Sequence, residues 1–227
     1  MSVIGIDPSL VSTAMVIDGN HIFNYTKEKY AHNKSGLNKW YNLCEEYVKY
    51  RWINYEQRDN FTDSEINKLK DFNILSDMVI NDIKKYIVPN EPIKIGIEGF
   101  SYSSQAGPLI DLVTYSTLLR NKLLLLTDDI IILPPSTLKL ESAKLTYPMI
   151  MEGKKEVWRN KEGVSGGKFN KHEMYLCLTE NDNFNCKWVE FLRDIKDDIF
   201  DSKTIKKPIE DCVDSFLIYK VLENKIR

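Results

Sequence analysis

Two predicted β-strands of this chain end on a carboxylate, and this pattern constrains the fold more than any other feature. The first strand is predicted at residues 3–7, in the segment GIDPS, and a later one at residues 92–98, in IGIEGF. Asp7 and Glu98 each follow apolar residues expected in a core, so their carboxylates lie at the edge of that core. Burying a carboxylate there is costly unless a cation compensates its charge.

The last predicted helix, at residues 209–224, carries two more acids. In EDCVDSF, Asp211 and Asp214 stand three residues apart, which places them on one face of the helix. Any one of these acids alone is more simply explained as a backbone cap or a solvent-facing charge. Four converging carboxylates would repel one another, however, and hard oxygen ligands of this kind suit Mg²⁺ or Mn²⁺.

The set of four acids therefore predicts a metal site for phosphodiester hydrolysis. Two Mg²⁺ ions, with Mn²⁺ as a substitute, can activate a water and stabilise the leaving oxygen of an in-line displacement. The predicted catalytic residues, which are also the predicted metal ligands, are Asp7, Glu98, Asp211 and Asp214.

The order of the other predicted elements indicates a mixed α/β fold. Strands at 13–17 and 21–25 complete an antiparallel meander with the first strand, and a further strand is predicted at 130–133. Helices are predicted at 37–52, 62–88, 108–126 and 209–224, and residues 134–167 form a polar, basic segment that contains several glycines. We therefore expect a mixed sheet with helices on both faces.

Composition excludes several classes of protein. The chain has 227 residues and a formal net charge of −2, so no global excess of charge indicates a nucleic-acid or membrane partner. The most apolar window, 118–133, is interrupted by charged residues, and the N-terminus does not have the pattern of a signal peptide. We expect a folded intracellular protein with no membrane contact.

Three segments resemble a known family. The opening GIDPSLVSTAMVI, the glutamate of IGIEGF and the helix DCVDSFLIYKVL are similar to the RuvC-type Holliday junction resolvases of the ribonuclease H-like superfamily. In that family the acid after the first strand, the glutamate ending the fourth strand and a DxxD pair on the last helix form the metal site. Ser9 stands where the family usually has glycine, a small change that should leave the site intact.

The resemblance implies an activity and an architecture. It implies a five-stranded ribonuclease H-like sheet and a homodimeric endonuclease that resolves Holliday junctions by paired symmetric nicks. It extends from one end of the chain to the other, so we expect a single domain, 1–227, with insertions near 33–61, 146–162 and 180–204. Length and a Lys-, Asn- and Ile-rich composition favour the divergent phage and poxvirus branch, which for a phage protein implies the host cytoplasm.

A basic segment is the predicted DNA-binding surface. Residues 139–171 contain eight basic and four acidic side chains, a local charge of +4 in a chain that is negative overall. Charge alone would equally describe an ordinary solvated surface, but SGGKFNKHE resembles the family's glycine-rich turn before a lysine-bearing helix. The family also places a base-stacking aromatic after the strand-ending glutamate. The predicted DNA contacts are Lys139, Lys168, Lys171, Gly166, Gly167, Phe100 and Tyr102.

Other functions are compatible with parts of this pattern. A ribonuclease H-like nuclease acting on flaps, forks or RNA/DNA hybrids would use the same acids, and a catalytically silent junction-binding protein would share the fold. The segment GIDPS also resembles the start of actin-like sugar kinases, but the chain is short for that class and lacks its second glycine-rich motif. The apolar helix at 108–126 is the predicted dimer contact, because paired nicks require two active sites related by a two-fold axis.

Overall fold

A computed structural model describes residues 1–32, 37–54, 60–100 and 106–225. The strands are β1 (Ser2–Asp7), β2 (Ser12–Ile17), β3 (His21–Thr26), β4 (Val48–Trp52), β5 (Ile93–Glu98), β6 (Ile130–Leu133), β7 (Met149–Glu152) and β8 (Lys155–Trp158). The helices are α1 (Glu28–Ala31), α2 (Leu37–Cys44), α3 (Phe61–Tyr86), α4 (Ala106–Leu124), α5 (Pro135–Thr146), α6 (Lys171–Thr179), α7 (Lys187–Asp194), α8 (Lys196–Phe200) and α9 (Ile209–Asn224). A 3₁₀ turn spans Gly166–Lys168.

The main sheet is mixed, with strand order β4-β3-β2-β1-β5-β6. β1, β2 and β3 form the predicted antiparallel meander, whereas β5 and β6 continue the sheet parallel to β1. The expected mixed α/β class is confirmed. No helix in the described part of the chain is both long and apolar enough to cross a bilayer.

A sixth strand corrects the predicted helix at 37–52. Helix α2 ends at Cys44, and β4 pairs parallel with β3 at the edge of the sheet. The sequence VKYRW alternates and is rich in branched and aromatic residues, which fit a pleated surface better than a helix. The sheet therefore has six strands rather than five.

The segment predicted as polar and basic also contains regular structure. Helix α5 begins at Pro135, a position in the first helical turn where proline is tolerated because no amide hydrogen is needed there. β7 and β8 then form a separate antiparallel hairpin, with Gly153 at φ 64° in its turn. The hairpin lies within one of the predicted insertions, 146–162, and α7 and α8 lie within another, 180–204.

The two faces of the main sheet are covered by different helices. Alternating side chains such as Ala14 and Val16 pack on the face that holds α9. Their neighbours Met15 and Ile17 pack on the opposite face, beneath α3 and α4. Helices therefore cover both faces, as predicted.

Two glycines let α9 lie directly on the sheet. Gly5 of β1 and Gly96 of β5 are paired in register. A Cβ on Gly5 would lie 2.2 Å from the backbone oxygen of Ser215, and one on Gly96 would lie 2.4 Å from the Leu222 side chain. Each glycine precedes a strand-ending acid by two residues. The close contact between α9 and the sheet therefore lies beside both acids, on the face of the sheet from which their side chains project.

Candidate active site

The structure brings the four predicted acids together. Asp7 and Glu98 end the adjacent parallel strands β1 and β5, and the first turns of α9 carry Asp211 and Asp214 over the same sheet edge. The three aspartates retain only 7%, 4% and 2% exposure, whereas Glu98 is half-buried. The cluster is thus formed by three chain segments that are far apart in sequence.

The pKa values of these acids show how unfavourable their mutual charge is. Burial raises the pKa of Asp7 well above its usual range, and the neighbouring charges of Glu98, Asp214 and Asp211 raise it further. Burial also raises the pKa of Asp214 to about 7, although Lys171 partly offsets that effect. The pKa of Glu98 is raised by burial too, while a hydrogen bond with Asp7 opposes the rise. A bound cation would relieve this repulsion.

Two lysines neutralise part of the cluster. Lys171, at the start of α6, donates to Asp214 and pairs with Glu210 at 3.2 Å. Lys207 donates to both carboxylate oxygens of Asp211, at 2.9 and 3.0 Å. Burial lowers the pKa of Lys171, but the charges of the neighbouring acids outweigh that effect and raise it overall. The four carboxyl groups of the cluster outnumber the two ammonium groups that contact them, and the raised pKa values show that the remaining repulsion favours protonation.

This donor set fits a divalent cation in its chemistry. No group of three or more His, Cys, Asp or Glu side chains within the described ranges is already arranged to hold a metal ion. In the acidic cluster, Lys171 and Lys207 contact oxygens of Asp214 and Asp211 that a metal would use. The available ligands are carboxylate oxygens, which hard divalent cations prefer. Metal binding would therefore compete with the two ammonium groups.

The predicted lysines occupy different positions around the cluster. Lys139, on α5, is half-buried and near enough to Glu98 that its charge lowers the pKa of that acid. Lys168 is exposed in the 3₁₀ turn. Lys171 pairs with Asp214 of the cluster and with the neighbouring Glu210, while 46% of its side chain remains exposed.

The two predicted glycines differ in their surroundings. Gly166 is buried, and a Cβ there would lie 2.4 Å from the Cβ of Ala143 on α5. Its lack of a side chain therefore serves the packing of the 3₁₀ turn on α5, a role the sequence did not indicate. Gly167 is exposed and has no heavy atom within 4 Å of a built Cβ, so backbone contact with a phosphate stays a prediction for this residue.

The predicted aromatic contacts are described only in part. Tyr102 lies in 101–105, outside the described residues. Phe100 is half-exposed, with the guanidinium carbon of Arg120 4.6 Å from its ring centroid. Its stacking on a base stays a prediction.

The basic segment keeps several lysines without an acidic partner. Four of its cations form ion pairs, namely Lys144 with Glu141, Arg159 with Glu152, Lys161 with Glu180, and Lys171 with Glu210 and Asp214. In the described ranges, the lysines of this segment that form no ion pair within 4 Å are Lys139, Lys154, Lys155 and Lys168. Lys154 and Lys155 lie at the exposed end of the β7–β8 hairpin, which extends the basic surface away from the cluster.

Sequence reasoning missed two residues that lie near Asp211. Lys207 stands four residues before Asp211 but precedes the first residue of α9, so the helical pairing of charges four residues apart does not apply to it and the sequence did not identify it. Ser12, on β2, lies close enough to Asp211 to lower the pKa of that acid. No local pattern in the sequence indicates this proximity, because it depends on how α9 crosses the sheet.

Comparisons with known proteins give limited information about this chain. No protein-family model matches it, and no curated protein matches it. Among solved structures it is similar to the Thermus thermophilus RuvC structure, at 10% sequence identity over 99% of this chain and 96% of that chain, with a TM-score of 0.44. That score is too low to support a functional conclusion. The class of the protein is therefore defined by its own structure, a mixed α/β sheet that carries a buried cluster of four carboxylates.

Proposed function

We propose that this protein is a metal-dependent endonuclease that resolves Holliday junctions by paired symmetric nicking. The observation that supports this most is the cluster of Asp7, Glu98, Asp211 and Asp214, whose carboxyl groups converge at one sheet edge and raise one another's pKa values. The choice of a Holliday junction as the substrate rests on the resemblance of GIDPS, IGIEGF and DCVDSF to RuvC-type resolvases.

The four carboxylates would hold two Mg²⁺ ions, with Mn²⁺ as a substitute. When bound, such ions supply a nucleophilic water and stabilise the leaving 3′ oxygen, which gives 5′-phosphate and 3′-hydroxyl ends. Asp7 and Glu98 lie on rigid, adjacent strands, so their oxygens are held in place before the substrate binds. Lys171, once released from Asp214, would be free to donate to a phosphate oxygen of the scissile strand.

The basic segment would bind the DNA backbone. Lys139 lies beside the cluster, and Lys168 is exposed on the turn that leads into α6. Lys154 and Lys155 on the hairpin would contact phosphates farther from the cut. Contacts of this kind strengthen binding through counterion release and make it depend on salt.

Two symmetric nicks require two active sites, which we assign to a homodimer. Helix α4 exposes an apolar stripe that includes Ile110, Val113 and Leu124, with exposures of 65%, 37% and 52%. If this stripe packed against the same stripe of a second copy across a two-fold axis, it would be buried in both protomers. The same proposal places the protein inside the cell, in the host cytoplasm if it comes from a phage.

The test is cleavage of a labelled four-way junction beside a linear duplex, a Y-fork, a flap and an RNA/DNA hybrid, with Mg²⁺, Mn²⁺, Ca²⁺ or EDTA. The proposal predicts paired symmetric nicks in the junction with Mg²⁺ or Mn²⁺, an intact linear duplex, and no cleavage with EDTA. The Glu98→Gln variant should not cleave, whereas Asp197→Asn, which changes an exposed acid on α8, should cleave normally. Equal cleavage of the fork or the hybrid would indicate a different nuclease of the same fold. Junction binding without cleavage would indicate a binding protein.

A further inference from the structure

One arginine beside the candidate active site makes fewer hydrogen bonds than the others. In the described part of the chain, Arg51, Arg159 and Arg193 each donate three hydrogen bonds to carboxylate or carbonyl oxygens. Arg120, on α4, donates a single one, from Nη2 to the carbonyl oxygen of Glu98, at the long distance of 3.4 Å. It forms no ion pair within 4 Å with a described acid. Most of the N–H groups of this guanidinium therefore have no acceptor among the described residues.

Burial makes this arrangement costly. Arg120 is half-buried, and its Nε is buried without a partner among the described residues. Burial lowers the pKa of Arg120 with no neighbouring acid to oppose it, whereas hydrogen bonds with Asp82 raise the pKa of Arg51. The guanidinium stays charged all the same, because arginine is not deprotonated in proteins. The described residues thus supply no anion that compensates a partly desolvated charge.

The Arg120 guanidinium is held at the end of β5. Helix α4 packs on the sheet face opposite α9, but the Arg120 side chain reaches the backbone oxygen of Glu98 at the sheet edge. Its central carbon lies over the ring of Phe100, 4.6 Å from the centroid, a contact that further fixes the position of the charge. Of its nitrogens without a partner, only Nε is fully buried, so Nη1 is open to a ligand from solvent.

We propose that Arg120 binds a phosphate of the DNA strand that enters the active site. The inference rests on the proposed function, because the anion it names is a phosphodiester of the substrate. A planar guanidinium matches the oxygens of a phosphate, and DNA bound at the acidic cluster brings phosphates to the strand end that carries Glu98. Arg120 thus adds a phosphate contact from α4 to those of the basic segment, and the phosphate supplies the anion that its charge lacks.

The test measures junction binding and stability in variants at position 120. Arg120→Met keeps an apolar side chain against Phe100 but removes the charge. It should weaken binding of a labelled four-way junction by about 10-fold and reduce the slope of log affinity against log salt by about 1. It should melt no lower than the wild-type chain, because an uncompensated charge is removed. Arg120→Lys, which keeps the charge, should retain the wild-type slope and restore part of the affinity.

Lys122→Met is the matched control. It removes a cation from the same helix, but Lys122 already donates to the carboxylate of Asp77 at 2.6 Å and to the backbone oxygen of Asn73 at 3.0 Å. This variant should therefore leave both the affinity and the salt slope unchanged. Binding is measured by fluorescence anisotropy in EDTA, so that neither cleavage nor a bound metal affects the comparison.

Several outcomes would overturn the inference. Wild-type affinity and slope in Arg120→Met would mean that no phosphate meets the guanidinium. A lower melting temperature with an unchanged slope would instead assign Arg120 to holding Phe100 in the fold. Loss of self-association with an unchanged slope would assign it to an acid of a second copy. A wild-type chain that binds no DNA would overturn this inference and the proposed function together, whereas a chain that binds junctions as expected but does not cleave them would overturn the nuclease alone.

Discussion

The two faces of the sheet each bury acidic side chains, but only one face satisfies them. Beneath α3, Asp82 accepts two hydrogen bonds from Arg51 at 2.8 Å each and one from the Tyr25 hydroxyl at 3.0 Å. One carboxylate is matched there by one guanidinium, in the bidentate geometry that gives the strongest ion pairs. Both oxygens of the Asp82 carboxylate are therefore paired with the guanidinium.

Beneath α9, the balance of charge is different. Lys171 and Lys207 contact the carboxyl groups of the cluster and Lys139 lies beside Glu98, yet the pKa values of these acids are raised by burial and by one another. A fold that can build the Asp82 pair does not need to leave such repulsion in its core. The difference between the faces indicates that Asp82 stabilises the fold, whereas the raised pKa values of the cluster mark a candidate functional site, which the proposed function interprets as a metal site.

The largest expected effect comes from removing one charge of the cluster. Asp7→Asn should lower the rate of junction cleavage by about 10³-fold or more, because it removes a metal ligand at the centre of the site. At a pH above the raised pKa of Asp7, the same change should raise the free energy of unfolding of the metal-free protein, since it then removes a buried charge that its neighbours repel. Quenched cleavage assays and denaturant titrations in EDTA measure the two effects. Cleavage near the wild-type rate by a folded Asp7→Asn variant would contradict the assignment.

On the opposite face of the sheet, a change at Asp82 should affect stability and leave cleavage intact. Asp82→Asn should lower the free energy of unfolding by about 3 kcal/mol, because it leaves the Arg51 guanidinium without its anion next to a buried tyrosine. The folded fraction should still cleave junctions, since Asp82 packs on the face away from the cluster. The measurement is urea unfolding beside cleavage per folded molecule. A variant as stable as the wild type would mean that the ion pair contributes nothing to the fold.

A smaller effect is expected from pH in the absence of metal. The pKa of Asp214 is about 7 in the folded chain and near its ordinary value when unfolded, so between these values the folded state binds more protons. Its contribution to stability is therefore complete at low pH and is lost as pH rises through about 7. Between pH 5 and pH 8, unfolding in EDTA should become easier by about 2 kcal/mol.

Two controls connect this pH dependence to the acidic cluster. Asp214→Asn should flatten it, and Mg²⁺ should restore stability mainly at the high end of the range, where the carboxylates are ionised. Stability that rises steadily with pH in EDTA would show that the folded state favours the ionised carboxylates, so that their pKa values are lowered rather than raised. The contrast with a complete ion pair such as Asp82–Arg51 would then disappear.

Local sequence patterns predict the acidic residues of the cluster beneath α9. Asp7 and Glu98 follow apolar strands, and Asp211 and Asp214 have helical spacing. The sequence pattern alone therefore identifies both pairs of acids. The repeated pattern Gly-Ile-acid, at residues 5–7 and 96–98, could also have indicated the close crossing of α9, because a glycine two residues before each acid lies on the same sheet face.

Contacts between distant segments could not be predicted in this way. The pairing of Asp82 with Arg51 joins α3 to an edge strand that sequence patterns assigned to a helix. The hydrogen bond from Asn24 to Ser12 depends on the register of β2 and β3. Such contacts are decided by tertiary packing, which can override the local propensity of the segments that make them.

The smallest expected effect comes from the exposed lysines, and it tests whether DNA meets only the α9 face. Lys168→Ala should weaken junction binding a few-fold and reduce the slope of log affinity against log salt by about 1, because one phosphate contact is lost. Lys84→Ala, an exposed lysine on α3 on the other side of the sheet, should change neither quantity. Binding measured by fluorescence anisotropy between about 50 and 200 mM salt gives both numbers. Equal losses from the two variants would mean that DNA contacts both faces, and the acidic cluster would then no longer define the DNA-binding side of the protein.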